Sequence, residues 1–383
     1  MRLAILGAML LLVGGVAIAT GVLPAEDALE IAQRVWPILL FAVAVTVVAE
    51  LAAEAGVFAA IAERLARVGL HRAWMLWLLV VLLAIASTVF LSLDTTAVLL
   101  TPVVILLARH NGLPQLPFAL TTVWLANTGS LLLPVSNLTN LLAEHALGFS
   151  DPGRFAALMV APAVVAIIVP VLAIAVLTRS TLAMRYEPAA VPRIDDRVLF
   201  VISAVVLAAL LPLLVSGVPV WMPASAAAAL LLIAFAIRRR QALRFALVPW
   251  QLVLFACGLF LVVGAGHAVG LTALLGQVAG GGDDPLSLLR LAFAGMLGAN
   301  AVDNLPAYLA LEPVAASPDR IAALLIGVNA GPLITPWASL ATLLWHQRLV
   351  ALDVELRWPR YMLLGLVVAP VTVALATLAL AYL

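Results

Sequence analysis

Cysteine, lysine and charge are scarce in this sequence. The single cysteine, Cys257, excludes an intrachain disulfide and a metal cluster built from several thiolates. Lysine is absent, so all 20 basic side chains other than histidine are arginine. Charged residues make up 10% of the 383 residues, whereas a soluble domain carries about 25%. The chain therefore lacks the polar surface of a soluble protein, and its net charge of +1 points to no nucleic-acid partner.

Long apolar runs fill the chain instead, with 65% hydrophobic residues and a mean hydropathy of +1.20. Runs of about 20 residues are long enough to cross a bilayer as helices. They are continuously apolar and do not alternate, which favours helices over barrel strands. We predict an all-α polytopic membrane protein with about nine spanning helices. Their predicted positions are 3–23, 35–57, 117–146, 153–178, 198–217, 219–237, 251–268, 319–346 and 359–383.

Two further apolar stretches, 73–109 and 272–313, contain polar residues in mid-run, which favours re-entrant helical hairpins. Arginines cluster in the loops at 64–72, 179–197 and 238–244. Because arginine-rich loops stay in the cytoplasm, we expect a multi-pass protein of the cytoplasmic membrane. Its N-terminus is then cytoplasmic and its C-terminus lies outside.

An internal repeat relates the two halves. Asn127–Leu142 (NTGSLLLPVSNLTNLL) aligns without a gap with Asn329–Leu344 (NAGPLITPWASLATLL), at an offset of 202. In the predicted topology the copies run in opposite directions, because helix 198–217 reverses the second half. Inverted repeats are typical of secondary transporters, so the pattern favours transport over catalysis. The predicted organisation is a first repeat at 1–178, a linker with a connecting helix at 179–218, and a second repeat at 219–383.

Glycine, proline and polar residues interrupt both copies of the repeat. Irregular backbone survives at membrane depth only inside protein or against a cavity, where free carbonyls and helix N-termini can bind a solute. The alternative is that glycine and proline merely kink packed helices. We predict substrate-binding side chains at Asn127, Thr128, Ser136, Asn137, Thr139, Asn304, Asn329, Thr335 and Ser339.

Two aspartates belong to the predicted hairpins. A carboxylate at membrane depth costs about 2.5–3.5 kcal/mol on insertion scales, so Asp94 and Asp303 are predicted to couple transport to a proton or a cation, with Thr95 beside Asp94. The alternative is that they cap helices at the membrane interface. Glu50 and Glu54, one helical turn apart, are interpreted as interfacial.

No arginine falls in the middle of a predicted span, so nothing offers a di- or tricarboxylate a bidentate clamp. A neutral polyhydroxylated solute or a cation suits the predicted lining better. The sequence also lacks a zinc-protease motif, a Walker loop and a nucleophile–base pair. We expect neither enzymatic activity nor a cofactor.

The motifs resemble the arsenite/antimonite permease family of the ion transporter superfamily. That superfamily includes sodium/proton antiporters and dicarboxylate carriers. The resemblance extends over nearly the whole chain. It is carried by Ser92–Pro102 (SLDTTAVLLTP), Ser130–Asn140 (SLLLPVSNLTN), Pro249–Gln251, Val302–Ala307 (VDNLPA) and Gly331–Trp345 (GPLITPWASLATLLW).

The resemblance implies a scaffold domain and a transport domain that slides like an elevator, with two hairpins and two broken helices around the substrate. The sequence departs from the family pattern at three positions. Leu93 precedes Asp94 where asparagine is usual, and Asn127 and Asn329 stand where acidic residues are expected.

The resulting hypothesis is export of arsenite or antimonite, driven by proton exchange or membrane potential. With one cysteine, a three-thiolate arsenic site is excluded, so arsenite would bind as its uncharged trihydroxide through hydrogen bonds. A sodium/proton antiporter or a carboxylate carrier is the alternative, and an intramembrane enzyme or assembly factor a third. The expected partners are a small inorganic solute, a coupling proton or cation and the bilayer. A cytoplasmic ATPase subunit and a second copy of the chain in a homodimer are further partners that the sequence allows.

Overall fold

The computed structural model describes residues 2–149, 151–187 and 195–382, which are mostly helical and contain no β-strand. The first helices are α1 (Arg2–Ala19), α2 (Ala25–Glu54), α3 (Val57–Val68), α4 (Ala73–Leu91), α5 (Leu93–Thr95), α6 (Thr101–His110), α7 (Leu116–Thr128), α8 (Leu138–Ala146) and α9 (Pro152–Leu177). They are followed by α10 (Arg179–Leu182), α11 (Arg197–Leu214), α12 (Trp221–Arg238), α13 (Trp250–Ala268), α14 (Leu271–Ala279), α15 (Pro285–Val302), α16 (Asn304–Leu311), α17 (Pro318–Leu325), α18 (Leu340–Ala351) and α19 (Trp358–Tyr382). Part of the predicted linker, 188–194 with Arg193, lies outside the described residues.

Nine helices in the described part of the chain are long and apolar enough to cross a membrane, which matches the predicted number but not every member. Six predicted spans correspond to α2, α9, α11, α12, α13 and α19. The predicted span at 3–23 is shorter, with its apolar part at Ala4–Ala19, and those at 117–146 and 319–346 are each broken in the middle. The remaining members are α4, the continuous helix Leu93–His110, and α15, which form arms of the predicted hairpins.

The predicted start of the second span at residue 35 was wrong, because α2 begins ten residues earlier, at Ala25. Pro24 directly precedes the helix, and Glu26 and Asp27 lie in its first turn. Proline is favoured at helix starts and acidic side chains are stabilised near a helix N-terminus. The charged residues therefore belong to the helix and not to the loop before it.

The first hairpin, hereafter hairpin 1, consists of α4 and Leu93–His110, where the sequence predicts a hairpin at 73–109. Hairpin 2 consists of α15 and α16 and begins at Pro285, so its predicted start at 272 was wrong. A turn containing Gly280 and Gly282, with φ of 67° and 96°, separates α14 from α15. Glycine adopts positive φ without steric cost, so this turn divides what seemed one apolar stretch.

The tips of the hairpins share an unusual backbone conformation. Ser92 has φ 121° and ψ 161°, and Asp303 has φ 134° and ψ 156°, a region that residues with side chains rarely adopt. Each residue caps the arm that follows: Ser92 Oγ accepts from the Thr95 amide at 3.3 Å, and Asp303 Oδ1 accepts from the Leu305 amide at 3.1 Å. Ser92 is therefore the structural counterpart of Asp303, while Asp94 lies two residues beyond its tip.

The helix packing repeats between the halves. α1 lies along α13 and α12 lies along α2, as expected if α1 and α2 correspond to α12 and α13. α3 and α14 each begin after a left-handed glycine, Gly56 with φ 85° and Gly270 with φ 99°. α8 and α18 begin at Leu138 and Leu340, which are 202 residues apart, the offset of the sequence repeat.

The helices form two sets. One set contains α1, α2, α11, α12 and α13. The other contains both hairpins, both broken helices, α9 and α19, with α9 packed on α19, α4 on α7, and α15 on α17 and α19. The short helices α3 and α14 contact members of both sets. This division is compatible with a scaffold and a transport domain, and the sliding motion stays a prediction.

Candidate functional site

Both repeat copies are broken where the sequence predicts. α7 ends at Thr128, and 3₁₀ turns at 129–131 and 134–136 precede α8. In the second copy, a π-helical turn at Ile326–Ala330 follows α17, and irregular backbone continues to Ser339. Asn137 and Ser339 are the N-cap residues of α8 and α18. Both breaks therefore lie within the predicted segments 117–146 and 319–346.

The N-termini of these half-helices and the two hairpin tips meet at one cavity of about 60 Å³. A cavity needs about 10–15 Å³ to hold one water molecule, so this volume has room for more than one water-sized group. α2 and α13 close the remaining walls with mostly apolar side chains. The polar residues that line the cavity are Thr46, Ser92, Asp94, Asn137, Asp303, Asn304 and Ser339.

Five predicted site residues thus line a single cavity, namely Asp94, Asn137, Asp303, Asn304 and Ser339. Ser339 is 1% exposed, and no described residue provides a hydrogen-bond partner for its hydroxyl. Among these residues, it offers the clearest free donor and acceptor for a bound solute.

Two further predicted residues stand behind Asn137. Thr139 donates its hydroxyl hydrogen to Asn329 Oδ1 at 2.8 Å, and Asn329 Nδ2 donates to Asn140 Oδ1 at 2.7 Å. Asn140 Nδ2 in turn donates to the Ser130 carbonyl at 2.6 Å. Thr139 and Asn329 therefore support the first broken helix and do not line the cavity.

The remaining predicted residues also lie away from the cavity. Asn127 donates to the Val123 carbonyl of its own helix at 2.9 Å, and Thr128 is fully buried with no described partner for its hydroxyl. Thr95 follows the tip of hairpin 1, and its hydroxyl donates to the Leu91 carbonyl of the preceding arm at 3.3 Å. Thr95 lines a neighbouring cavity and not the central one.

Ser136 and Thr335 fix the breaks to the hairpins. Ser136 Oγ donates to the Val89 carbonyl at 2.8 Å, and Thr335 Oγ1 donates to the Asn300 carbonyl at 2.7 Å. Val89 and Asn300 each stand three residues before their hairpin tip, so the same contact occurs in both halves. Asn300 Oδ1 also accepts from the Thr335 amide at 3.0 Å.

Sequence reasoning missed four polar residues of this region: Thr46, Ser92, Asn140 and Asn300. The spacing offered a signal for two of them, since Asn140 follows Asn137 by three residues and Asn300 precedes Asp303 by three. Thr46 lies on α2, far from either motif in sequence, and nothing in the chain marks it. Its position at the cavity depends on how α2 packs against hairpin 1.

The charges around the cavity are uneven. Two carboxyl groups, those of Asp94 and Asp303, line it, and none of its described lining residues is arginine, lysine or histidine. The N-termini of α8 and α18 carry the positive ends of helix dipoles toward the same space. A solute there meets acceptors from the aspartates and partial positive charge from the helix ends, which suits a small molecule with both donors and acceptors.

Comparisons with known proteins agree with this architecture. The family model described as a citrate transporter, CitMHS, matches residues 3–344. The chain belongs to the CitMHS family of membrane transporters. An arsenical pump membrane protein of Escherichia coli is 31% identical over 95% of this chain and 91% of its own length. A second, also of Escherichia coli, is 32% identical over 98% of this chain and 92% of its own length.

A putative arsenical pump membrane protein of Bacillus subtilis is 26% identical over 76% of this chain and 75% of its own length. The crystal structure of the YdaH transporter of Alcanivorax borkumensis superimposes with a TM-score of 0.62, covering 99% of this chain and 97% of that one. At 16% identity this likeness shows the fold alone. The resemblance to arsenite/antimonite permeases is confirmed, and this CitMHS family member is a multi-pass membrane protein with a transporter fold.

Proposed function

We propose that the protein exports arsenite or antimonite across the cytoplasmic membrane, coupled to protons or to the membrane potential. The observation that carries the proposal is the cavity where both hairpin tips and both half-helix N-termini meet, lined by Asp94, Asp303, Asn137 and Ser339. The arsenical pump relatives support the same substrate class.

Arsenite matches the lining in charge and in size. Its neutral form is a trihydroxide, which donates hydrogen bonds to carboxylates and accepts them from the Ser339 hydroxyl. A cavity of about 60 Å³ suits so small a solute. The sole cysteine, Cys257, is not a lining residue, so recognition would use oxygen and nitrogen groups.

Asp94 and Asp303 are the proposed coupling groups. Both carboxyl groups face the cavity, and each can hold a proton or attract a cation there. The set of helices that contains both hairpins and both broken helices is the proposed transport set. Export would then proceed as the transport set carries cavity and solute past α2 and α13, in the manner of an elevator. A cytoplasmic ATPase subunit and a homodimeric assembly are compatible with this scheme and are not required by it.

A sodium/proton antiporter is the second candidate, because two carboxylates facing one cavity are also an arrangement that attracts a cation. A carboxylate carrier fits less well, even though the family model is described as a citrate transporter. Citrate carries several negative charges, and the described lining provides two aspartates and no basic side chain to balance them.

The test is arsenic accumulation in cells that lack their own arsenite exporters. We expect the wild type to lower intracellular arsenic after an arsenite load, and Asp94→Asn to lose this effect while inserting normally. Asp353→Asn is the matched control, because Asp353 is exposed and its φ of 56° is one that asparagine tolerates. Accumulation equal to that of cells with empty vector would contradict export, and the same cells would then be tested for sodium tolerance and citrate uptake.

The proposed orientation has its own test. In a Cys257→Ala background, single cysteines at Asp27 and at Arg240 should react with a membrane-impermeant thiol reagent from opposite sides. Asp27 should react in intact cells, and Arg240 only after the membrane is opened. The reverse pattern would overturn the assignment of the arginine-rich loops to the cytoplasm.

A further inference from the structure

A second cavity of about 320 Å³ lies beside the central one. Four residues line both cavities, namely Thr46, Asp94, Leu252 and Leu340. The far wall of the second cavity comes from the segment between α12 and α13, including Ala246 and Val248. Asp94 therefore stands between the central cavity and a larger space that reaches the connection carrying the arginine cluster at 238–244.

Glu50 is the other carboxylate that lines the second cavity, and none of the described lining residues is basic. Glu50 is half-buried, and Arg348 of α18 acts on it electrostatically. Glu54, by contrast, forms an ion pair with Arg239 at 3.2 Å. A half-buried carboxylate on a membrane-spanning helix is costly and usually has a function.

The spacing along α2 connects the two cavities. Ala42 lines the central cavity, Thr46 lines both, and Glu50 lines the second. Glu54, at the surface end, lines a third cavity. Residues four apart lie on one face of a helix, so a single stripe of α2 runs from the centre of the protein to its surface.

We propose that Glu50 is a proton-relay residue, which passes the coupling proton between Asp94 and water on the side of the arginine-rich loops. In one direction the Asp94 carboxylic acid releases its proton through the second cavity to the Glu50 carboxylate, which then releases it to water. The cavity is large enough for a chain of water molecules. The proposal rests on the proposed function, since it requires that Asp94 exchange a proton during transport.

The charged groups around Glu50 are consistent with a relay. Arg348 of α18 interacts with it electrostatically from one side, and Glu54 opposes it from its own helix. Arg239 holds Glu54, and Asp94 faces the same cavity from hairpin 1. Arg348 belongs to the second broken helix and Asp94 to hairpin 1, so both would move with the transport set, while Glu50 would stay with α2.

The test uses the purified protein in liposomes that contain a pH-sensitive dye. Solute is added outside as arsenite, sodium or citrate in separate arms, and proton movement is recorded over a range of pH. Where the wild type moves protons with a solute, Glu50→Gln should slow that movement about tenfold or more and flatten its pH dependence. The KM for the solute should stay unchanged, and Glu50→Asp should restore part of the rate.

Asp353→Asn is the control, because Asp353 is exposed and lines neither cavity, and it should keep the wild-type rate and pH profile. A Glu50→Gln variant with the wild-type rate and pH profile would overturn the relay. Proton movement with sodium or citrate but not with arsenite would overturn the proposed substrate and still test the relay. A wild type that moves no protons with any of the three solutes would overturn the relay, whereas export driven by the membrane potential is tested separately by arsenic accumulation in cells.

Discussion

Asn137 donates a hydrogen bond from its side-chain amide to Asn329 Oδ1 at 3.0 Å, across the two halves of the protein. Asn137 caps α8 beside the central cavity, and Asn329 lies in the π-helical turn of the second broken helix. Thr139 donates to the same oxygen, and Asn140 accepts from the Asn329 amide. One buried side chain therefore holds the two broken helices together where they cross.

Replacing Asn329 should loosen this crossing. Asn329→Ala removes three hydrogen bonds between the halves, and such bonds contribute roughly 0.6 kcal/mol each within membranes, so we expect a loss of about 2 kcal/mol. Thermal unfolding in detergent measures the loss. Asn127→Ala is the control, because the Asn127 amide donates within its own helix. Equal destabilisation by both variants would show that hydrogen bonds between the halves stabilise the protein no more than a hydrogen bond within one helix.

Sequence patterns predicted the parts of the site that depend on local chemistry. The helix breaks were predicted from glycine, proline and polar residues inside apolar runs. Asn137 and Ser339 were predicted as site residues from the repeat, and each begins a half-helix that faces the cavity. Packing between distant segments was not predictable. Asn127 aligns with Asn329, yet Asn127 bonds to its own helix whereas Asn329 bonds across to the other half. The sequence does not encode that difference locally.

The hairpin tips are a second feature that could be predicted only in part from the sequence. Hairpin 1 was predicted almost to the residue, because Ser92 and Asp94 interrupt an apolar run. The backbone shows that Asp303 corresponds to Ser92 and not to Asp94, because Ser92 and Asp303 both have positive φ at the tip of their hairpin. The start of hairpin 2 was missed even though three glycines and two aspartates at 280–284, residue types favoured in turns, precede Pro285.

Asp303 combines two roles that substitutions can separate. It caps α16 through Oδ1, and it presents a carboxyl group to the cavity. Asp303→Asn keeps a side chain of the same shape that can cap α16, so the fold should stay intact while coupled transport is lost. Asp303→Ala also removes the cap and should cost about 1 kcal/mol more in thermal unfolding. Coupled transport by Asp303→Asn at the wild-type rate would show that the charge at this tip is dispensable.

Gly327 marks a contact between backbones that admits no side chain. A Cβ atom there would lie 2.1 Å from the Ala292 carbonyl oxygen of α15, which cannot move away as a flexible side chain could. Gly327→Ala should therefore cost about 1–3 kcal/mol or more through overpacking and lower the yield of folded protein. Gly15→Ala is the matched control, since no atom lies within 4 Å of its added Cβ. Size-exclusion profiles and thermal unfolding compare the two, and equal stability would contradict the close packing of α15 on the π-helical turn.

Arg34 and Glu312 join the two helix sets by an ion pair. Arg34 belongs to α2, Glu312 follows α16, and the Tyr308 hydroxyl donates to the same carboxylate at 3.1 Å. If the transport set slides along α2, this pair must break, so it stabilises the arrangement described here. Neutralising it by Glu312→Gln should lower the ratio of this arrangement to the alternative about fivefold, as a pair contributing about 1 kcal/mol implies.

Spin labels at Leu29 of α2 and Leu286 of α15, both exposed, report the distance between the two sets in a Cys257→Ala background. We expect one dominant distance in the parent protein and a second population in Glu312→Gln. The reversed pair, Arg34→Glu with Glu312→Arg, should return the distribution toward the parent, because the attraction is kept while both charges change places. An unchanged distribution in Glu312→Gln would mean that the pair does not bias the sets, and a reversed pair that fails to restore the parent would assign the effect to packing around Tyr308.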